Sequence, residues 1–150
     1  MTTIGINFTS SDIYFVVVEG TLNAPNFVSK NKISLPANHS ISERVDWFEN
    51  ELTAILNNVN PDKVSYRLTI NNVTNNYVHC VYFAQGILNL LCHKSQIAIC
   101  HTSPASVKPN KFNQPKETNL ETYVDNVLGS HPPHWNKNMR NSALVAMLQL

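Results

Sequence analysis

Ile4, Ile6 and Phe8 alternate with small or polar residues, the period of a β-strand. Thr9-Ser10-Ser11-Asp12 is a turn cluster. Ile13 to Glu19 then reads IYFVVVE, β-branched, aromatic and nearly continuous in apolar character. A strand buried on both faces has that pattern. Gly20 to Asn26 predicts another turn, and Phe27 to Leu35 a more polar, alternating strand toward a sheet edge. Pro36 to His39 breaks the pattern. Ser40 and Glu43 form an S-x-x-E capping box, and Ile41, Val45, Phe48, Leu52 and Ile55 line one face of the helix it opens. Asn57 to Pro61 ends that helix. Val64, Tyr66, Leu68 and Ile70 predict a fourth strand, Tyr77 to Leu91 an apolar helix, and Gln96 to Cys100 a short fifth strand. A Pro- and Asn-rich connector, His101 to Pro115, leads to helical spacing over Glu117 to Leu128. After the loop Gly129 to Lys137, Asn138 is placed to cap a last helix through SALVAML.

The order is β-β-β-α-β-α-β-α-α. Three strands joined by short turns make an antiparallel meander, and the later βα alternation adds parallel strands. The expectation is an α/β fold with a mixed five-stranded sheet and helices on both faces. A length of 150 residues suits one domain, 1–150, and 43% apolar residues suffice for its core.

Charge changes this picture only locally. The net charge is +1, but residues 1–62 hold three basic and seven acidic side chains. Lys63, Arg67, Lys94, Lys108, Lys111 and Lys116 follow with no acid among them. Such a stretch attracts phosphate or an acidic partner, unless folding averages the charges out. Cys80, Cys92 and Cys100 are odd in number and no signal peptide precedes them, so we expect reduced thiols in a cytoplasmic protein. The longest apolar run, Tyr77 to Cys92, carries His79, Gln85 and Asn89 and falls short of the roughly 20 apolar residues of a membrane span. No membrane association is expected.

Five local stretches, in order, resemble the RuvC branch of the RNase H-like superfamily. Ile4-Gly5-Ile6-Asn7 is similar to the family's opening I-G-I-D, and Leu68-Thr69-Ile70-Asn71 to a strand that the family ends in Glu. The apolar helix from Tyr77 is similar to the family's central helix. Thr102-Ser103-Pro104-Ala105-Ser106-Val107-Lys108 resembles the family's Y-x-P-x-x-V-K, and Asn141-Ser142-Ala143-Leu144-Val145-Ala146 its C-terminal D-A-A-D-A-L-A helix. The resemblance implies an RNase H-like domain and a nuclease ancestry. It also implies four metal-binding carboxylate positions, which fall on Asn7, Asn71, Met139 and Ser142.

None of the four is acidic. In the family, two Mg²⁺ ions about 4 Å apart stabilise the attacking and leaving oxygens of a phosphodiester. Mg²⁺ is a hard ion whose anionic ligands supply most of the attraction. Four neutral positions do not offset two divalent charges, and no Asp or Glu follows Asp125 to compensate for a slip in alignment. Asp12 lies beyond the strand that should carry the catalytic Asp. Glu121 and Asp125, at i and i+4, read as a solvated helix face. We therefore expect no catalytic residues, no bound metal and no cofactor.

Other chemistry is weakly signalled. His79-Cys80, Cys92-His93 and Cys100-His101 are zinc-like in composition, but adjacent side chains diverge and the spacings match no zinc signature. A cysteine nucleophile with His93 or His101 as base has no local signature either. The four glycines are scattered, so there is no phosphate-binding turn of the kind an actin-like ATPase needs. Trp135, in the loop His131-Pro132-Pro133-His134-Trp135, either anchors a partner or a base, or plugs the core.

The leading functional expectation is a catalytically inactive scaffold or protein-interaction subunit of a bacterial complex, in nucleic-acid metabolism or phage defence. The alternative is a non-cleaving DNA- or RNA-binding protein, with Lys94, Lys108, Lys111, Lys116 and Trp135 as candidate contacts. A nuclease with a displaced site is the remaining reading. Oligomeric state is open, and the edge of the third strand or the C-terminal helix could pair two copies.

Overall fold

The computed structural model describes residues 1–68 and 74–150. Its strands are β1 (Thr2–Phe8), β2 (Asp12–Thr21), β3 (Ala24–Ser34), β4 (Lys63–Arg67) and β5 (Ala98–Thr102). They form one sheet in the order β3-β2-β1-β4-β5. β1 pairs antiparallel with β2 and parallel with β4, β2 pairs antiparallel with β3, and β4 pairs parallel with β5. This is the mixed α/β sheet expected, with β3 on an edge. The predicted end of the fourth strand, Ile70 and Asn71, lies outside the described residues.

The pleat sorts the strand residues onto two faces. Ile4, Ile6, Phe8, Val64 and Tyr66 pack beneath α1 (Ile41–Val59) and a long second helical segment. That segment runs as α2 (Asn75–Tyr77), a wide π turn (Val78–Tyr82) and α3 (Phe83–Lys94), where one uninterrupted helix was expected. On the other face Tyr14, Val16 and Val18 of β2 meet α4 (Leu120–Leu128) and α5 (Lys137–Met147). Helices therefore cover both faces. No helix among the described residues is long and apolar enough to cross a membrane.

Local chemistry explains the boundaries. The Ser40–Glu43 capping box forms, and Asn60 closes α1 in the left-handed conformation. α4 starts at Leu120, later than expected, because Asn119 caps it by accepting a hydrogen bond from the Thr122 N–H. α5 is capped by Asn136 and not by Asn138, so it begins earlier and Asn138 lies inside its first turn.

Gly5 sets how closely α5 lies on the sheet. A Cβ at this position would collide with the Ser142 carbonyl oxygen and with Ala146. The bare glycine lets α5 lie directly on β1, and Met139 and Ser142–Met147 are buried there. One face of α5 is thus part of the core.

Candidate nucleic-acid cleft

The cleft lies where parallel β1 and β4 end. Ile6 of β1 pairs in register with Tyr66 of β4, and both face the α1–α3 core. The next residues, Asn7 and Arg67, therefore turn side by side toward α5. Asn7 is 2% exposed, and its Nδ2 donates to Oδ1 of Asn138 at 3.1 Å. A pocket of about 250 Å³ at this point is lined by Asn7, Arg67, Tyr77 and Asn138, with Phe8, Thr9 and Ser10 of the β1–β2 turn.

Arg67 is also a wall of a second, larger cavity of about 430 Å³. There it meets Asn141, one helical turn beyond Asn138, and Lys116, Asn119 and Glu121 from the start of α4. Among the described residues the Arg67 side chain has no hydrogen-bond acceptor or ion-pair partner. Burial pushes its pKa below the ordinary guanidinium value, and Tyr77 opposes the shift. An arginine keeps its proton even so. Glu121 is the acid in these walls, and Arg140 lies 3.8 Å from it. Lys116 continues into a surface depression lined by Lys108, Pro109 and Asn110. The local balance is positive.

Two expected positions move by one residue. Met139 is fully buried in the core, and Ser142 is fully buried with its Oγ donating to the Tyr14 carbonyl at 3.0 Å. Neither lines the cleft. Asn138 and Asn141 line it instead. A one-residue slip rotates a helix position by about 100°, so matching a motif by sequence does not settle which residue faces the site. Asn7 lines the smaller cavity, and Asn71 lies outside the described residues.

The candidate contacts separate as well. Lys108 and Lys116 rim the cleft. Lys111 lines neither cavity; two residues on, Asn113 donates to Asn23 in the β2–β3 turn, at the sheet end away from Asn7. Lys94 ends α3 just before β5, again at the far end of the sheet. Trp135 is 8% exposed and belongs to the second core. Its Nε1 donates to Asp125 at 2.6 Å, and its ring meets Phe27 and His131 edge-on. A ring so enclosed has no face for a base, so Lys94, Lys111 and Trp135 drop out as cleft contacts. Asp125 is likewise no bare solvated residue, since it also accepts two hydrogen bonds from Arg140.

Among the described residues the thiols do not converge on one site. Cys80 and Cys92 are buried, and burial pushes the Cys92 thiol up to about 11. His93 and His101 point out to solvent. Among the described residues no three His, Cys, Asp or Glu side chains gather as a metal site would require.

The sequence reading missed Asn138, Asn141 and the central place of Arg67. For Arg67 a signal existed: with Val64, Tyr66 and Leu68 pointing to one core, alternation turns Arg67 to the face that carries Asn7.

No protein-family model matches the chain, and no curated protein sequence matches it. Solved structures do. RuvC of Thermus thermophilus in complex with a Holliday junction substrate superposes with a TM-score of 0.78 at 15% identity, over 99% of this chain and 91% of that one. The yeast mitochondrial Holliday junction resolvase gives 0.67 at 12%, over 97% and 76%. The Fowlpox virus Holliday junction resolvase gives 0.61 at 13%, with both chains covered completely. The fold is therefore the RNase H-like α/β fold of RuvC and related resolvases.

The described residues of this cleft do not fit the Mg²⁺ pair that such a fold implies. Asn7 and Asn138 each spend part of their amide on the other, Glu121 is beside Arg140, and the Arg67 guanidinium, with no acid partner among the described residues, stands between the two cavities. Two divalent cations beside Arg67 would meet repulsion that one carboxylate, Glu121, does not offset.

Proposed function

Starting from a fold shared with Holliday junction resolvases, we propose that this chain holds a nucleic-acid backbone in its cleft without cutting it. One observation carries the reading: Arg67 sits between facing asparagines, flanked by Lys116 and Lys108, with one compensated acid nearby. A guanidinium fork matches phosphate oxygens, and neutral amides add hydrogen bonds without repelling them. Carboxylates at the same positions would repel phosphate unless metal ions intervened. The arginine thus supplies positive charge of the kind that divalent ions supply in a metal-dependent nuclease.

Fluorescence anisotropy with labelled duplex and branched DNA tests this. We expect binding that persists in EDTA and weakens steeply with salt. With three phosphate-binding cations, log affinity against log salt has a slope of about −2 to −3. No binding at low salt, or binding that requires a divalent ion, would sink the proposal. So would Mg²⁺- or Mn²⁺-dependent cleavage that disappears in Asp12→Asn or Asp125→Asn.

The scaffold reading ranks second. β3 is a long sheet edge with half-exposed Val28, a place where another strand could add. Lys30 and Lys32 on that edge oppose such pairing. Among the described residues the large exposed apolar side chains, Met1, Val28, Ile41 and Leu90, come from four separate segments. Membership of a larger bacterial assembly and a cytoplasmic setting belong to this second reading.

A further inference from the structure

The cleft holds more than a backbone track needs. A phosphate on Arg67 would touch both cavities, because that side chain is a wall of each. The larger cavity, about 430 Å³, is far roomier than a phosphate and much too small for a duplex. It falls within the range of small-molecule sites, which is roughly 300–1,000 Å³. Pro104, Val107 and Leu120 give its lining apolar surface, and Asn119, Asn141 and Glu121 add amide and carboxylate groups to it. The Asn141 amide has no hydrogen-bond partner among the described residues, and Asn119 uses only its oxygen, to cap α4. Donors and acceptors are thus available beside an apolar surface. A nucleobase presents the complement: apolar faces and a polar edge.

We propose that this cavity receives one unpaired nucleotide, with its phosphate on Arg67 and its base against the Pro104–Val107 wall. The inference rests on the backbone-binding reading and adds a ligand class to it. The same chemistry has two sources, a free mononucleotide or an unpaired residue in a strand. An unpaired residue enters without the cost of unstacking a paired base. In a strand, Lys116 and Lys108 would meet the neighbouring phosphates along the adjoining depression.

Anisotropy with one labelled duplex in three forms tests it: fully paired, with a single bulged adenine, and with an abasic bulge at the same place. Adenosine monophosphate, titrated by NMR, is the fourth arm. We expect the bulged adenine to bind roughly tenfold tighter than the paired duplex and clearly tighter than the abasic bulge, as a base held in a pocket requires. Binding of the mononucleotide without a bulge preference would assign the cavity to free nucleotide. Thr118→Trp, whose indole would crowd the cavity, should bring the bulged and paired affinities within about twofold of each other. An unchanged far-UV spectrum and melting temperature would show that this variant is folded. Equal affinity for all three duplexes, with no mononucleotide binding, overturns the pocket and leaves the backbone reading standing. No binding of any arm at low salt overturns both.

Discussion

Arg67 concentrates the chemistry of this chain in one side chain. Its burial without an acid partner among the described residues is unfavourable for the isolated protein, and a phosphate would relieve it. Arg67→Ala should weaken duplex binding by more than about tenfold and flatten the salt slope by about one. Arg67→Lys should recover only part of the loss, because an ammonium lacks the fork. Anisotropy at several salt concentrations reads both. A second residue-scale expectation concerns the thiols. Cys80 and Cys92 are 1% and 0% exposed, whereas Cys100 is partly exposed on the edge strand β5. Maleimide should therefore add once to the native protein, at Cys100, and three times after denaturation; mass spectrometry counts the adducts. A double adduct in the native state would show that one of the two core thiols is open to solvent.

At the scale of elements, α5 is held in two ways that both serve the cleft. Close approach at Gly5 brings Asn138 and Asn141 alongside Asn7 and Arg67. Gly5→Ala should cost on the order of 1–3 kcal/mol, as overpacking does, and should weaken nucleic-acid binding as the helix is displaced. Urea unfolding and anisotropy on the same variant check both parts. The second tie is Asp125 on α4, which accepts from Trp135 Nε1 and from Arg140 of α5 through its Nε and Nη2. Asp125→Ala should destabilise the fold by about 1–2 kcal/mol, the range for partly exposed charged hydrogen bonds. The β–β–β–α opening was legible because alternation, turn residues and a capping box are local signals. The start of α5 was less so. Asn136 and Asn138 are both good caps, and only packing against β1 decides which one ends outside the helix.

Across the whole molecule, two carboxylates outside the cavity walls, Asp12 and Asp125, tie stability to pH. The Arg140 hydrogen bonds are the main cause that holds Asp125 below the usual carboxylate value. Burial opposes ionisation of Asp12, but hydrogen bonds from Ser34, Ser11 and Lys32 outweigh it and hold it low as well. The folded state thus binds fewer protons than the unfolded chain in the acid range. Stability should be full above about pH 4 and fall as the pH drops through the folded values of these two groups. Asp125→Asn should flatten that acid limb while lowering stability at neutral pH. Melting temperature measured from pH 3 to pH 7 checks the sign.

Binary pattern and local chemistry, read from the sequence alone, determined the element order, the two-faced sheet and the neutral character of Asn7 in place of an acid. These are properties of single residues and near neighbours, so they survive without a structure. Tertiary structure decided the rest. It placed Asn138 and Asn141 in the cleft in place of Met139 and Ser142, because the phase of a helix depends on what it packs against. It drew Trp135 into the core and sent Lys94 and Lys111 away from the site. It also gathered Arg67, Lys108 and Lys116 from separate segments around one cleft, and parallel pairing of β1 with β4 set Arg67 beside Asn7, some sixty positions away in the chain.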